Sequence, residues 1–321
     1  VNRFVDALKR LLVEAVEISF RLFKIMIPVI VAVKILKELG AVEWLAVVLS
    51  PVMEVVGLPG GMGLVWATTL LTNLYGGMIV FVSLSSDFPV TVAQATVLTT
   101  MMLVAHGLPV ELRIAQKAGV RLLAMGMLRV GGAFLLGFVL DQVYASGGWL
   151  QEPNVIPWIP PAQDTSLLAW GVDQVKGLVL IFFIILALLA MIKVLTRLGI
   201  TNLITKCMHP LLKVLGIGNA ASTITIIGMT LGLAYGGALI IQEATSDRIG
   251  KKDIVFSLAL MGLSHSLIED TLLAALLGGH LSGILWGRII FSLLCIFLLV
   301  KWISRVSDAA FERYFFHSTA R

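Results

Sequence analysis

The sequence predicts an all-α integral membrane protein made of two inverted-topology repeats with broken or re-entrant helices, and three observations predict it. First, 58% of the 321 residues are hydrophobic and only 13% charged, at a mean hydropathy of +0.98. A soluble chain carries about 45–50% apolar and about 25% charged residues, so this one lacks the polar surface to cover itself in water. Second, apolar runs of about 20 residues, enough to cross a hydrocarbon core of about 30 Å, fit roughly eight to ten times between the charge clusters. Third, landmarks of the first half return in the second at one fixed spacing.

The elements follow in order. Residues 1–22 place Phe4, Leu8, Leu11, Leu12, Ala15 and Ile18 at helical spacing opposite Arg3, Asp6, Lys9, Arg10, Glu14 and Glu17. That pattern suits an amphipathic helix on the membrane surface. A first repeat covers 23–145, with apolar runs at 23–39, 42–58, 62–84, 90–110 and 119–144. Residues 146–171 carry four prolines, Gly147-Gly148 and Trp149, Trp158 and Trp170, which predicts a non-helical extracytoplasmic linker with aromatics at the headgroups. A second repeat covers 172–304, with runs at 172–196, 201–217, 220–244, 253–278 and 283–303, and a basic cytoplasmic tail covers 305–321. Residues 42–58 and 201–217 are short for a crossing and read as re-entrant or interfacial.

The repetition is an ordered set. Leu39-Gly40 returns as Leu198-Gly199, Pro51 as Pro210, Gly57 as Gly216, His106 as His265, Gly119 as Gly278 and Arg129 as Arg288, each 159 residues on. Tyr75-Gly76-Gly77 returns as Tyr235-Gly236-Gly237 at a spacing of 160. Basic residues gather at the N-terminus, at Arg113, Lys117 and Arg121, and at the C-terminus, whereas the linker holds Glu152 and Asp164 and no Lys or Arg. By the positive-inside tendency both termini are cytoplasmic, each half crosses an odd number of times, and the repeats are inverted. Arg248, Lys251 and Lys252 fit this threading poorly.

Three sets of residues could carry chemistry. Asn73, Tyr75, Gly76 and Gly77 in one half and Tyr235, Gly236, Gly237, Gln242 and Glu243 in the other suggest paired helix breaks that line a midplane substrate site. Their alternative is close helix packing by small residues. His106 and His265 lie in apolar runs, followed by Glu111 in the first half and by Glu269 and Asp270 in the second. Ionisable groups in lipid are costly and normally face a bundle interior, so His106, His265, Glu269 and Asp270 read as an ion-coupling set, with His265 and Glu269 on one face if the helix continues. Glu111 and Arg113 read equally well as loop residues. Arg129 and Arg288 either pair with buried carboxylates or snorkel to the headgroups, and singly each favours snorkelling.

Other functions lose support. The charge of +5 comes with no basic stripe interleaved with aromatics, so no nucleic-acid partner is expected. Cys207 and Cys295 form no paired motif, and the usual hydrolase, nucleotide and zinc-protease motifs are missing, so no enzyme, cofactor or metal is expected. No cleavable signal peptide is read at the start.

The repeated LG…P…G(L/I)…YGG…(A/S)H pattern resembles the nucleoside recognition, or Gate, family over nearly the whole chain, one unit per half. That family includes spore maturation membrane proteins and is related to the membrane parts of ferrous-iron transporters and of nucleoside carriers. The resemblance implies a multi-pass protein of a bacterial or archaeal inner membrane. Since Cys207 and Cys295 fall outside the Tyr-Gly-Gly and His segments, iron transport is not implied. The expected function is secondary transport of a small polar solute, nucleoside-like or an organic ion, coupled to H+ or Na+. The alternative is a non-transporting scaffold that uses its Gly-rich helices for homo-oligomerisation; an intramembrane acid–base enzyme is weaker for want of a nucleophile.

Overall fold

The computed structural model describes residues 2–156, 166–245 and 249–317, without the side chains of 2–5, 7–8, 192, 200–202, 205, 231, 234–235 and 245. Asp164, Trp158, Arg248 and the side chain of Tyr235 therefore lie outside the described residues. Helix accounts for the architecture, and among the described residues the only β pairings are the isolated bridges Thr91–Pro153 and Val120–Phe316. Backbone polar groups in hydrocarbon need partners within their own segment, which an apolar chain supplies as helix.

The first seven helices are α1 (Asn2–Glu38), α2 (Ala41–Glu54), α3 (Met62–Leu71), α4 (Leu74–Leu84), α5 (Val92–Val104), α6 (Leu108–Lys117) and α7 (Leu122–Gly147). The next seven are α8 (Leu167–Arg197), α9 (Ile200–Val214), α10 (Asn219–Leu231), α11 (Leu233–Thr245), α12 (Lys251–Leu263), α13 (Glu269–Leu276) and α14 (Arg288–Ile303), the last entered through a π-helical turn at Ser282–Gly287. A short α15 (Asp308–Tyr314) closes the described chain. The two series correspond helix for helix. Their turns correspond as well, since Gly40, Gly57 and Gly119 are left-handed at φ of 65°, 70° and 92°, and Gly199, Gly216 and Gly278, each 159 residues on, at 77°, 78° and 94°.

Among the described residues, four stretches are long and apolar enough to cross a membrane: Val92–Lys117, which includes the α5–α6 turn, Leu122–Gly147, Leu167–Arg197 and Ser282–Ile303. This is fewer than the apolar runs suggest, because several runs break midway. Residues 62–84 divide at Thr72-Asn73, residues 220–244 at Gly232, and residues 253–278 between Leu263 and Glu269. The N-terminal segment differs too. No break separates an interfacial helix at residue 22 from a span at 23; α1 runs unbroken through Pro28 to Glu38. Along α7, α8 and α14 large apolar side chains such as Leu123, Phe183 and Leu298 are exposed, a surface suited to acyl chains.

Two ends of the molecule are distinguishable by contacts. At one end, α15 ties together the α6–α7 turn and the start of α12: the guanidinium of Arg121 donates to the Glu312 carbonyl at 3.1 Å, Lys251 pairs with Glu312 at 2.6 Å and Lys252 with Asp308 at 3.1 Å. Trp302, at the end of α14, stacks edge-on against Phe315 there, with ring centroids 5.2 Å apart. At the other end, the chain after α7 returns to the start of α5, where Val92 N–H donates to Glu152 O at 3.0 Å, and Asn154 donates to Leu277 O at 2.9 Å. Thus α7 leaves the α15 end while α14 arrives at it, and the Lys251-Lys252 group that threads poorly from sequence sits beside the C-terminal helix.

Candidate functional site

Two interrupted helices build the site. α5 stops at Val104, Ala105 turns extended, and Gly107 at φ 55° starts α6. α12 stops at Leu263, and Ser266, 159 residues after Gly107, takes the same left-handed turn at φ 46° before α13. A non-glycine residue there is uncommon and marks a geometry the surroundings impose. Each interruption is anchored by one backbone bond from a neighbouring broken helix: Gly107 N–H donates to Thr69 O at 3.0 Å, and Leu267 N–H to Met229 O at 2.9 Å.

The interruptions hold His106 and His265 against each other, 6% and 3% exposed. His106 Nδ1 lies 2.9 Å from the Met102 carbonyl and His265 Nδ1 lies 2.8 Å from the Met261 carbonyl. A carbonyl can only accept, so each Nδ1 carries its hydrogen and donates it. In the neutral ring Nε2 is then a bare lone pair, and the two Nε2 atoms are 3.0 Å apart. Two lone pairs at that distance repel unless a cation lies at them.

Carboxylates surround the pair. Glu111 Oε1 is 3.3 Å from His106 Nε2 and 3.4 Å from His265 Nε2, while Asp270 Oδ2 is 3.9 Å from both. Asp270 Oδ2 is buried and has no hydrogen-bond partner. Glu111 is held from behind by Arg129, whose Nη1 pairs with Oε2 and whose Nε donates to Val104 O at 3.2 Å. Arg288 occupies the corresponding place in the second series, where its Nη2 donates to Thr271 Oγ1 at 3.1 Å and its Nε and Nη1 are buried without partners.

These positions revise the sequence expectations. Arg129 and Arg288 are 1% and 0% exposed, so neither snorkels; Arg129 pairs with the Glu111 carboxylate, as a buried charge requires, and Arg288 donates to the Thr271 hydroxyl. His265 does not share a helix face with Glu269, because the helix is broken between them. Glu269 instead accepts from the Tyr75 hydroxyl at 3.4 Å. The four glycines of the Tyr-Gly-Gly motifs are not breaks. They lie inside α4 and α11, and the interruptions precede them, at Asn73 and at Gly232 with φ 101°. Asn73 is the N-cap of α4, its side chain accepting from Gly76 N–H at 2.9 Å. The glycines serve close packing, since a Cβ on Gly77 would stand 1.8 Å from Thr69 Oγ1 and one on Gly236 only 2.5 Å from Gly228 Cα. Gln242 is exposed and Glu243 half-buried, and both lie about ten residues beyond the Gly232 break, on the order of 15 Å along the helix axis.

Sequence reasoning left Glu111 between loop and site. The signal was present, since Glu111 precedes Asp270 by 159 residues, and Met102 precedes Met261 by the same number. The expectation of no metal ligands came from local motifs, whereas His106, His265 and Asp270 offer donor atoms within 4.8 Å of one another from separate halves.

Fold and site together define a helical membrane protein with a buried polar centre between two corresponding series of helices. The chain is similar to the uncharacterized membrane protein YvoD of Bacillus subtilis (strain 168), 26% identical over 263 residues, which are 81% of this chain and 83% of that protein. No model of a known protein family matches the chain, and no solved structure matches it.

Proposed function

We propose that the protein is a secondary transporter that carries a small polar solute, nucleoside-like or an organic ion, across a bacterial inner membrane, coupled to H+ or Na+. The observation that carries this reading is the contact of His106 Nε2 with His265 Nε2 at 3.0 Å, between two carboxylates and deep in an apolar molecule. Ionisable groups are expensive at such depth and mark ion or solute paths. The opposite senses of α7 and α14 support inverted repeats, and the basic residues gathered around α15 support cytoplasmic termini. The motif resemblance to Gate proteins agrees with a membrane carrier.

The binding locus is the pair of interrupted helices α5–α6 and α12–α13 rather than the Tyr-Gly-Gly segments. Beside it lies a cavity of about 10 Å³, lined by Leu74, Met78, Met102, Leu273 and Leu277 among others, space for a single water. In this reading the structure is the closed conformer, and rocking of one series against the other opens the path. The test is uptake by proteoliposomes of nucleosides, amino acids and organic anions under imposed proton or sodium gradients. Gradient-dependent uptake of one class, abolished by His265→Ala and retained by Glu243→Gln, is expected. Its absence for every class, or uptake indifferent to His265→Ala, contradicts transport. Contacts of Gly77 and Gly236 favour a second reading, a scaffold whose helices simply pack tightly, and the same null result selects it.

A further inference from the structure

The two inward-facing nitrogens and Asp270 have a geometry that goes beyond a polar cluster. The atoms His106 Nε2, His265 Nε2 and Asp270 Oδ2 form a triangle with sides of 3.0, 3.9 and 3.9 Å. The point equidistant from its corners lies about 2.1 Å from each, within the usual range for zinc bound to imidazole and carboxylate, about 2.0–2.2 Å. Glu111 Oε1 adds a fourth donor on the same two nitrogens, at 3.3 and 3.4 Å. Ligand-to-ligand edges of about 3.4 Å are what tetrahedral bonds of about 2.05 Å produce.

Two further features are those of a metal-ready site. Each histidine commits Nδ1–H to a backbone carbonyl, at 2.9 and 2.8 Å, which fixes the tautomer that presents Nε2 as a ligand. Asp270 Oδ2 is buried, unpartnered and directed at both nitrogens. A proton shared by the nitrogens would answer their repulsion and leave Asp270 Oδ2 unbonded at 3.9 Å, whereas a metal ion at the common point reaches all three.

We propose that His106, His265 and Asp270, with Glu111 as fourth donor, bind one divalent transition-metal ion of the zinc or cobalt type between the two halves of the chain. The inference rests on the preceding reading only in placing the cation at this cluster. Imidazole with carboxylate suits such metals, whereas Mg2+ and Na+ favour oxygen alone.

The test uses the full-length protein in detergent, stripped with chelator and titrated with Co2+ and Zn2+. One Co2+ per chain is expected, with the visible ligand-field bands of a tetrahedral site, displaced by Zn2+ and not by Mg2+ or Na+. Asp270→Asn should weaken binding at least tenfold, and His106→Ala with His265→Ala should abolish it. The near-isosteric Asp270→Asn keeps the test informative if the alanine variants fail to fold. No stoichiometric binding by the wild type, as a shared proton alone would give, overturns the proposal, and so does binding that survives Asp270→Asn undiminished. Metal binding without any solute uptake would retain the site and contradict transport; uptake by a protein that binds no metal would do the reverse.

Discussion

Glu111→Gln would strand the Arg129 guanidinium, which is 1% exposed and whose Nη2 already lacks a hydrogen-bond partner. Breaking a buried ion pair from one side costs about 3–5 kcal/mol, because the remaining charge stays desolvated. We expect Glu111→Gln to lower the unfolding temperature in detergent strongly, and Glu111→Gln with Arg129→Met to recover part of the loss, since an apolar replacement of both partners removes the stranded charge. Equal destabilisation by the single and double variants would show that the pair carries no such burden. The histidines were legible in the sequence as a duplicated pair, but their mutual contact was not: spacing along a chain does not reveal which elements interrupt at the same depth. Arg129 was legible as a charge-pairing residue, but its candidate partners were Glu243, Glu269 and Asp270, because spacing does not reveal that Glu111, 18 residues earlier, lies beside it.

Helix pairs in each series approach through glycine, and the tolerance for a methyl group differs sharply among positions. Gly236→Ala would press Cβ onto the backbone of Gly228 at 2.5 Å and onto Met261 Sδ at 2.7 Å, and Gly77→Ala onto Thr69 Oγ1. Overpacking of this kind costs about 1–3 kcal/mol. Gly131→Ala in α7 meets nothing within 4 Å and replaces a poor helix former, so it should be neutral or stabilising by up to about 1 kcal/mol. Thermal unfolding of the three variants should therefore order them with Gly131→Ala highest; a loss at Gly131 as large as at Gly236 would refute the packing account. Helix positions were readable from the apolar runs, yet the interruptions were read on the wrong residues. Gly-Gly looks like a break, but the backbone of α4 is restarted by the Asn73 cap and that of α11 by the left-handed Gly232, and both motifs then continue as helix.

Across the whole molecule, the two corresponding series share their buried apolar clusters: Ala115, Val120 and Met125 of the first series pack into a cluster built mainly by the second, and Met26 and Ile79 pack with Ile181 and Ile185. α5 and most of α7 build the first cluster, most of α12 and α14 the second, and Leu263, Leu273 and Leu277 of the second series pack into the first cluster. All-helical membrane architecture and the 159-residue correspondence were visible in composition and landmarks alone. The number of full crossings was not, because an apolar run reports burial, and a half-length helix buried against protein is as apolar as one that faces lipid. At this scale the first and second halves touch through His106 and His265. A double-mutant cycle on unfolding of the chelator-treated protein, with His106→Ala, His265→Ala and both together, tests it most directly. Residues in contact show interaction energies of about 0.5–3 kcal/mol, so the loss in the double variant should differ from the sum of the two single losses by about that amount. Strictly additive losses would place the two histidines apart and contradict the account.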